Sequence, residues 1–512
     1  MGYVIGLDIG TSGAKALLVN EKGDIVYRAF REYPLYTPYP LWTEQDPLDW
    51  WDATVSIVSE IVSRGLVNPE DIEAIGLSGQ MHSLVLLDKE YNVIRPAILW
   101  SDQRTEKECR HVMELLGEER VMDLISNPVL PGFTLGKILW VKENEPENYE
   151  KINKVLLPKD YIRFKMTGDL SMEITDAAGT AYFSVKEKKW SYEILDALDI
   201  PPEFFPPVCK SFEVCGRATE EFERLTGVKK GTKVVGGGAD NACGAVGAGI
   251  VKEGRMLSSI GTSGVILTPI RIHKFDPQGR IHTFNHSVED MWYLMGVELS
   301  AGMSLRWYRG IGGVMETAIA PFLKKDPYDL LSEEASFAPL GSNGVIFLPY
   351  LSGERTPHKD PFARGVFFGL SISTRREDMI RAVMEGVTFG LMDSVRIMED
   401  LGVKIEEVRA IGGGAKSPLW RKIQADVFGR ELSVMEKDEG PAYGAAILAW
   451  VGAGKFSTVE ESVEELVKVK EVVEPDPENT ERYRDFYEFY TSLYPVLKDR
   501  FKELGELEKK YR

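Results

Sequence analysis

The apolar run at Gly6-Leu7-Asp8-Ile9 enters a small polar turn, Gly10-Thr11-Ser12-Gly13, and a second apolar run, Ala16 to Val19, leaves it. The pattern recurs 251 residues further on, where Ser259-Ile260 enters Gly261-Thr262-Ser263-Gly264 and Val265 to Leu267 leaves it. Each copy predicts a β-hairpin, with glycine supplying the backbone freedom a tight tip needs. Between them, a helical stretch is predicted over Asp46 to Arg64. The apolar run Ile72 to Leu77 then reads as a strand entering a loop at Ser78-Gly79-Gln80-Met81-His82. Lys233-Val234-Val235 opens into Gly236-Gly237-Gly238-Ala239-Asp240-Asn241, followed by a small-residue stretch, 242–250, of helical character. The second half offers the same parts: Val408 to Ile411 runs into Gly412-Gly413-Gly414-Ala415-Lys416-Ser417, and Gly444 to Trp450 is again rich in small residues. A hairpin, a strand entering a Gly-Gly-Gly-Ala turn and a helix of small residues in each half predict a duplication.

Strands interleaved with helices of this length predict α/β domains with covered sheets, and a shared ligand would sit in the cleft between the halves. The boundary is expected near Ile250 to Arg255, giving domains at 1–250 and 251–457. Residues 458–512 read as a helical extension, whose stripe Tyr483, Phe486, Tyr490, Leu493, Leu497, Phe501 and Leu504 predicts a helix packed on the body.

At 512 residues, 44% hydrophobic and 27% charged, the chain has the composition of a multidomain globular protein. Its net charge of -18 opposes nonspecific binding to nucleic acid or an anionic membrane. Four cysteines without a CxxC pair predict neither a disulfide framework nor a zinc site, and the expected location is the cytoplasm. Tyr443 to Val451, the most apolar stretch, is far too short to span a membrane. A homodimer is compatible with the sequence.

Common nucleotide signatures are missing: there is no GxGxxG, and Gly132-Phe133-Thr134-Leu135-Gly136-Lys137-Ile138 is one residue short of a P-loop. Glycine-rich tips and turns that present bare amides, with Thr and Ser hydroxyls beside them, suit phosphate oxygens; the plain alternative is tight packing. Asp240 is either the N-cap of the helix it precedes or a base accepting a hydroxyl proton in phosphoryl transfer. Asp8 is either a buried carboxylate bonded to turn amides or an anchor for Mg²⁺ through water. Gln80, Met81 and His82 offer a sugar pocket, against a structural role for a single histidine. Trp100, Asp102 and Arg104 offer an aromatic face and fixed donors to a polyol, against a plain ion pair between the last two.

These motifs, with Leu157-Pro158-Lys159-Asp160-Tyr161, Thr175-Asp176-Ala177-Ala178-Gly179-Thr180, Leu299-Ser300-Ala301-Gly302 and Tyr350-Leu351-Ser352-Gly353-Glu354-Arg355-Thr356-Pro357, resemble the FGGY carbohydrate kinases over nearly the whole chain. The resemblance implies two ribonuclease-H-like domains of the actin and sugar-kinase superfamily, closing over ATP, Mg²⁺ and a small sugar in an interdomain cleft. It implies that Asp240 is the base and that Met81, His82 and Asn241 contact a ketose. Asp8, Thr11, Ser12 and Lys15 would face phosphate and metal, Gly261 and Thr262 the β- and γ-phosphates, and Gly302, Gly413 and Gly414 the rest of the nucleotide. The implied reaction is phosphorylation of D-xylulose at its 5-hydroxyl, with ribulose or gluconate as alternative acceptors and a non-kinase actin-like ATPase as the more distant one. Ser83 after Met81-His82 is a departure that members acting on gluconate can share.

Overall fold

The computed structural model describes residues 2–511. In the first half, β1 (Tyr3–Ile9), β2 (Gly13–Asn20) and β3 (Ile25–Glu32) form an antiparallel meander. Helix α1 (Pro47–Ser63), capped by the Asp46 carboxylate on the Leu48 amide, leads to β4 (Ile72–Gly79), which lies parallel to β1. Further on, β5 (Val214–Arg217) and β6 (Lys233–Val235) complete a sheet of order β5-β6-β4-β1-β2-β3. The two-residue strand Gly238–Ala239 adds to the end of β4, and α2 (Asp240–Gly247) follows. Val4, Ile5, Leu7 and Ile9 are all fully buried, as expected of a central strand covered on both faces.

The second half repeats the plan. Hairpin β7 (Gly254–Ile260) and β8 (Gly264–Ile270) is followed by β9 (His282–Asn285) and β10 (Trp292–Glu298), then by helices α3 (Ala301–Gly312) and α4 (Arg376–Asp400). After these come β11 (Ile405–Gly412), α5 (Pro418–Phe428), β12 (Glu431–Met435) and α6 (Pro441–Ala453). The tail supplies β13 (Val469–Val473) and α7 (Pro477–Tyr511), and the sheet order is β9-β10-β8-β7-β11-β12-β13. The extension is therefore not purely helical: β13 pairs antiparallel with β12 and closes the sheet edge. Its helix α7 buries Tyr483, Tyr490, Leu493 and Phe501 in the second half's core, as the apolar stripe predicts.

Superposing the strand orders corrects one expectation about the duplication. Strands β3-β2-β1-β4-β6 correspond to β10-β8-β7-β11-β12, so the hairpins are equivalent, and so are α2 and α6. The two Gly-Gly-Gly-Ala turns are not. That at 236–239 follows the fifth strand of its set, whereas that at 412–415 follows the fourth, where the first half has the loop at 80–83.

The small-residue helices cross over. Helix α6 buries Ala442, Ala445, Ala446 and Ala449 in one cluster with Val4, Leu17, Val19, Ala74 and Val235 of the first sheet. In return, Ala242, Ala245 and Ala248, in and just after α2, share a core with Leu257, Leu267, Phe284, Tyr293 and Met295 of the second. The approach of α6 is so close that a Cβ on Gly6 would lie 2.1 Å from the Ala442 carbonyl oxygen, and one on Gly76 2.0 Å from that of Ala445. Any side chain there would force helix and sheet apart.

Candidate active site

The first hairpin tip is held from behind. The Tyr33 hydroxyl donates to the Gly10 carbonyl, which also accepts from the Gln80 amide at 3.4 Å, and Gln45 Nε2 donates to the Thr11 carbonyl at 2.7 Å. With its carbonyls turned into the fold, the tip's Thr11 and Ser12 amides have no protein partner among the described residues. Trp100, 42% exposed, donates its indole N–H to the Thr11 hydroxyl at 2.9 Å.

Two carboxylates stand beside this tip. Asp8 lies opposite Ser78 on β4 and opposite Lys15 on β2. Burial raises its carboxyl to about 6, against the opposing pull of Ser78 and Lys15, and its Oδ1 is buried without a hydrogen-bond partner. Asp240 is raised to about 7, first by burial and then by the neighbouring Asp8 charge. It is the first residue of α2 rather than its cap, which is Ala239. Its Oδ1 accepts from the Asn241 backbone amide at 2.7 Å and side-chain amide at 3.0 Å, while Oδ2 has no partner among the described residues. The turn before it rests on buried ions: Arg163 donates to the Gly236 carbonyl at 2.8 Å and pairs with Asp160 at 2.7 Å, and Lys159 meets Asp176 at 2.9 Å. The Thr175 hydroxyl, anchored on Glu173, accepts from the Ala239 amide at 2.7 Å.

Met81 is buried and its sulfur meets the Asn241 amide at 3.7 Å, so residues 160 positions apart form one wall. His82 takes a left-handed backbone (φ 66°), stacks on Phe133 at 4.5 Å, and sets Nδ1 2.6 Å from the Gly179 carbonyl. A carbonyl only accepts, so Nδ1 carries the proton and Nε2 is left as an acceptor. Burial, helped by nearby Lys137 and Arg355, holds the ring's pKa down at about 3, so it is neutral at physiological pH.

Three expected sugar contacts are corrected. Gln80 is 1% exposed and spends its side-chain amide inside, donating to Gly10 and Gln45 and accepting from Ser83. Asp102 and Arg104 are buried and paired at 2.7 Å; the guanidinium also reaches Glu44 at 2.8 Å and lies 3.7 Å over the Trp42 ring. The ion-pair alternative describes them. Lys15 is not free either, since its ammonium meets Glu439, just before α6, at 2.5 Å.

The other expected residues converge. Gly261, Thr262, Gly302, Gly413 and Gly414 line one cavity of about 370 Å³, together with Arg306, Tyr328, Asp329, Lys416, Ser417 and Trp420. The amides of Gly302 and Met303, at the start of α3, donate to the Gly261 and Thr262 carbonyls at 2.9 and 3.1 Å. A Cβ on residue 302 would come within 2.2 Å of the Gly261 oxygen, so only glycine lets α3 approach the tip. Tyr328, Asp329 and Arg306 carried no motif that could have singled them out, because the helices that supply them are close only in the folded chain.

One glycine-rich hairpin tip stands beside two neighbouring carboxylates and the other lines a cavity of glycines, an arrangement suited to phosphate groups. The family models for the N-terminal and C-terminal domains of the FGGY carbohydrate kinases match residues 3–247 and 256–453, and the chain belongs to that family. It is 41% identical to a xylulose kinase of Bacillus subtilis, over 98% of each chain, and 31% identical to a gluconokinase of the same organism, over 99% of this chain and 98% of the other. Its fold matches a ligand-bound xylulose kinase from Lactobacillus acidophilus at a TM-score of 0.91 with 27% identity, covering 98% of this chain and all of the other. No helix among the described residues is long and apolar enough to cross a membrane.

Proposed function

We propose that this chain transfers the γ-phosphoryl group of ATP to the 5-hydroxyl of D-xylulose. The observation that carries the reading is Asp240, which leaves Oδ2 without a partner among the described residues, feels the charge of Asp8 at the first tip, and holds Asn241, whose amide meets Met81. The acceptor hydroxyl gives its proton to Asp240 as its oxygen bonds to the γ-phosphorus, and the bond to the β,γ-bridging oxygen breaks to release ADP. His82 Nε2 accepts from a sugar hydroxyl, and the Asn241 amide and Met81 thioether complete the pocket.

The cavity of Gly261, Thr262, Gly302, Gly413 and Gly414 takes the nucleotide, and amides at both tips hold its phosphates. Magnesium fits beside Asp8, whose Oδ1 is buried and unbonded, since this ion is bound through one or two carboxylates plus water and phosphate oxygens. When bound it would neutralise charge on the phosphates. Thr11 and Ser12 position the phosphoryl group, and Lys15 acts at one remove through its pair with Glu439.

The relative most like this chain of the two cited above acts on xylulose, and a neutral imidazole beside a thioether suits uncharged hydroxyls. Gluconate is the second reading, favoured by the cation Arg355 near His82. Steady-state kinetics on D-xylulose, D-ribulose, xylitol and gluconate at saturating ATP test the assignment. D-xylulose should have the highest kcat/KM, and a higher value for gluconate overturns it.

A further inference from the structure

Ser83, the residue at which the sequence departs from the family pattern, is fully buried and so cannot select a sugar by touching it. Its hydroxyl is instead the junction of two hydrogen-bonded arms. In one, Ser83 Oγ accepts the backbone amide of Trp100 at 3.1 Å, and the Trp100 indole N–H donates to the Thr11 hydroxyl at 2.9 Å. In the other, Ser83 Oγ donates to Gln80 Oε1 at 3.2 Å, Gln80 Nε2 donates to Gln45 Oε1 at 3.0 Å, and Gln45 Nε2 donates to the Thr11 carbonyl at 2.7 Å. Both arms leave the loop that carries Met81 and His82, and both end on the first hairpin tip.

The direction of these bonds decides what Thr11 can do. An indole N–H only donates and a carbonyl only accepts, so Thr11 receives a hydrogen bond at its hydroxyl oxygen and another at its carbonyl. Its two donors are left over: neither the amide nor the hydroxyl proton has a protein acceptor among the described residues, and the side chain is half-buried. The arms are themselves braced. Trp50 Nε1 donates to Gln45 Oε1 at 3.1 Å, which fixes that amide. The Leu99 amide donates to the Thr43 carbonyl at 3.0 Å and Thr43 Oγ1 lies 2.8 Å from Ser101 Oγ, so the chain is held on both sides of Trp100. A hydroxyl oriented in this way has lost rotational freedom before a ligand arrives, which is the condition for stabilising a transition state without reorganisation.

We infer that Trp100 and Ser83 are positioning residues for the transfer: they turn the Thr11 hydroxyl proton and amide toward the moving phosphoryl oxygens, and tie that orientation to the loop that holds the sugar. Trp100 acts through Thr11, without touching the reacting atoms. The inference rests on the kinase reading above and gives a task to a serine that is hidden from both substrates.

The test is a double-mutant cycle read in kcat and in both KM values, run with the best acceptor among the sugars named above, D-xylulose on the present reading. Trp100→Phe keeps an aromatic ring and removes the N–H. It should lower kcat about three- to tenfold, with the KM values for sugar and ATP within about twofold of wild type. Against a Thr11→Val background, which lacks the hydroxyl, the same substitution should cost less than half as much on a logarithmic scale. Ser83→Ala, which adds no volume, should lower kcat about two- to fivefold and show the same dependence on Thr11, and this cycle decides the matter if the Trp100 variant does not fold. Equal losses with and without the Thr11 hydroxyl overturn the inference, since a merely structural role would persist in both backgrounds. A raised KM for the sugar at unchanged kcat also overturns it, by making Trp100 a wall of the sugar pocket. Wild type that does not phosphorylate D-xylulose refutes the proposed function and leaves the cycle to be read on the sugar that is accepted.

Discussion

The two hairpin tips share a sequence but are supported in different ways. The first is a four-residue loop between Ile9 and Ala14, its carbonyls bonded by side chains of Tyr33, Gln45 and Gln80. The second is a three-residue loop between Ile260 and Gly264, its carbonyls taken by backbone amides at the start of α3. Both solutions turn carbonyls inward and leave amides for an anion. The difference lies in charge: at the position of Asp8 the second tip has Ser259. One tip can therefore take part in chemistry with Asp240, and the other is suited to hold phosphate passively.

That division is open to attack, most strongly at Asp240. Asp240→Asn keeps the hydrogen bonds to Asn241 plausible in shape but removes the base, and kcat should fall at least about 10²-fold with folding intact. The same carboxyl sets a pH limb. Its pKa of about 7 means that the active, deprotonated form is lost as pH falls, so wild-type kcat/KM should drop below about pH 7. Asp240→Asn should lose that limb, and near wild-type turnover would reduce Asp240 to a residue of the helix start.

Gly302→Ala attacks the second tip. The added Cβ meets the Gly261 oxygen, and the shift needed should cost about 2–3 kcal/mol of ATP binding, seen as a higher KM for ATP with the sugar KM unchanged. On the first side, His82→Ala should raise the KM for D-xylulose by about 1–2 kcal/mol and leave ATP binding alone. Thr262→Val is the mildest, an ATP effect of about 0.5–1.5 kcal/mol for one hydroxyl. If Thr262→Val or Gly302→Ala alters which sugar is preferred, the division between the tips fails.

Much of this arrangement is legible along the chain because it is local: both hairpins, the helix over 47–63 and the stripe of α7 follow from residue pattern. What is not legible depends on contacts far apart in sequence. The two triple-glycine turns look like copies, yet they follow different strands, and only strand order reveals it. Gln80 sits beside Met81 and His82 but spends its amide on Gln45 and Gly10, partners 35 and 70 positions away. Trp100 pairs with Thr11 across 89 positions, and Asp102 with Arg104 vanishes beneath Trp42 and Trp140.

The crossing of α2 and α6 also has a bearing on biosynthesis. The first sheet is complete in sequence by residue 239, yet the helix that covers β1 and β4 is not translated until residues 441–453, about 200 residues later. At about 5–20 residues per second, the nascent first half would wait on the order of 10–40 s with that face uncovered. Premature chain termination anywhere before α6 would leave one face of the central strands bare, a natural target for chaperones and proteases.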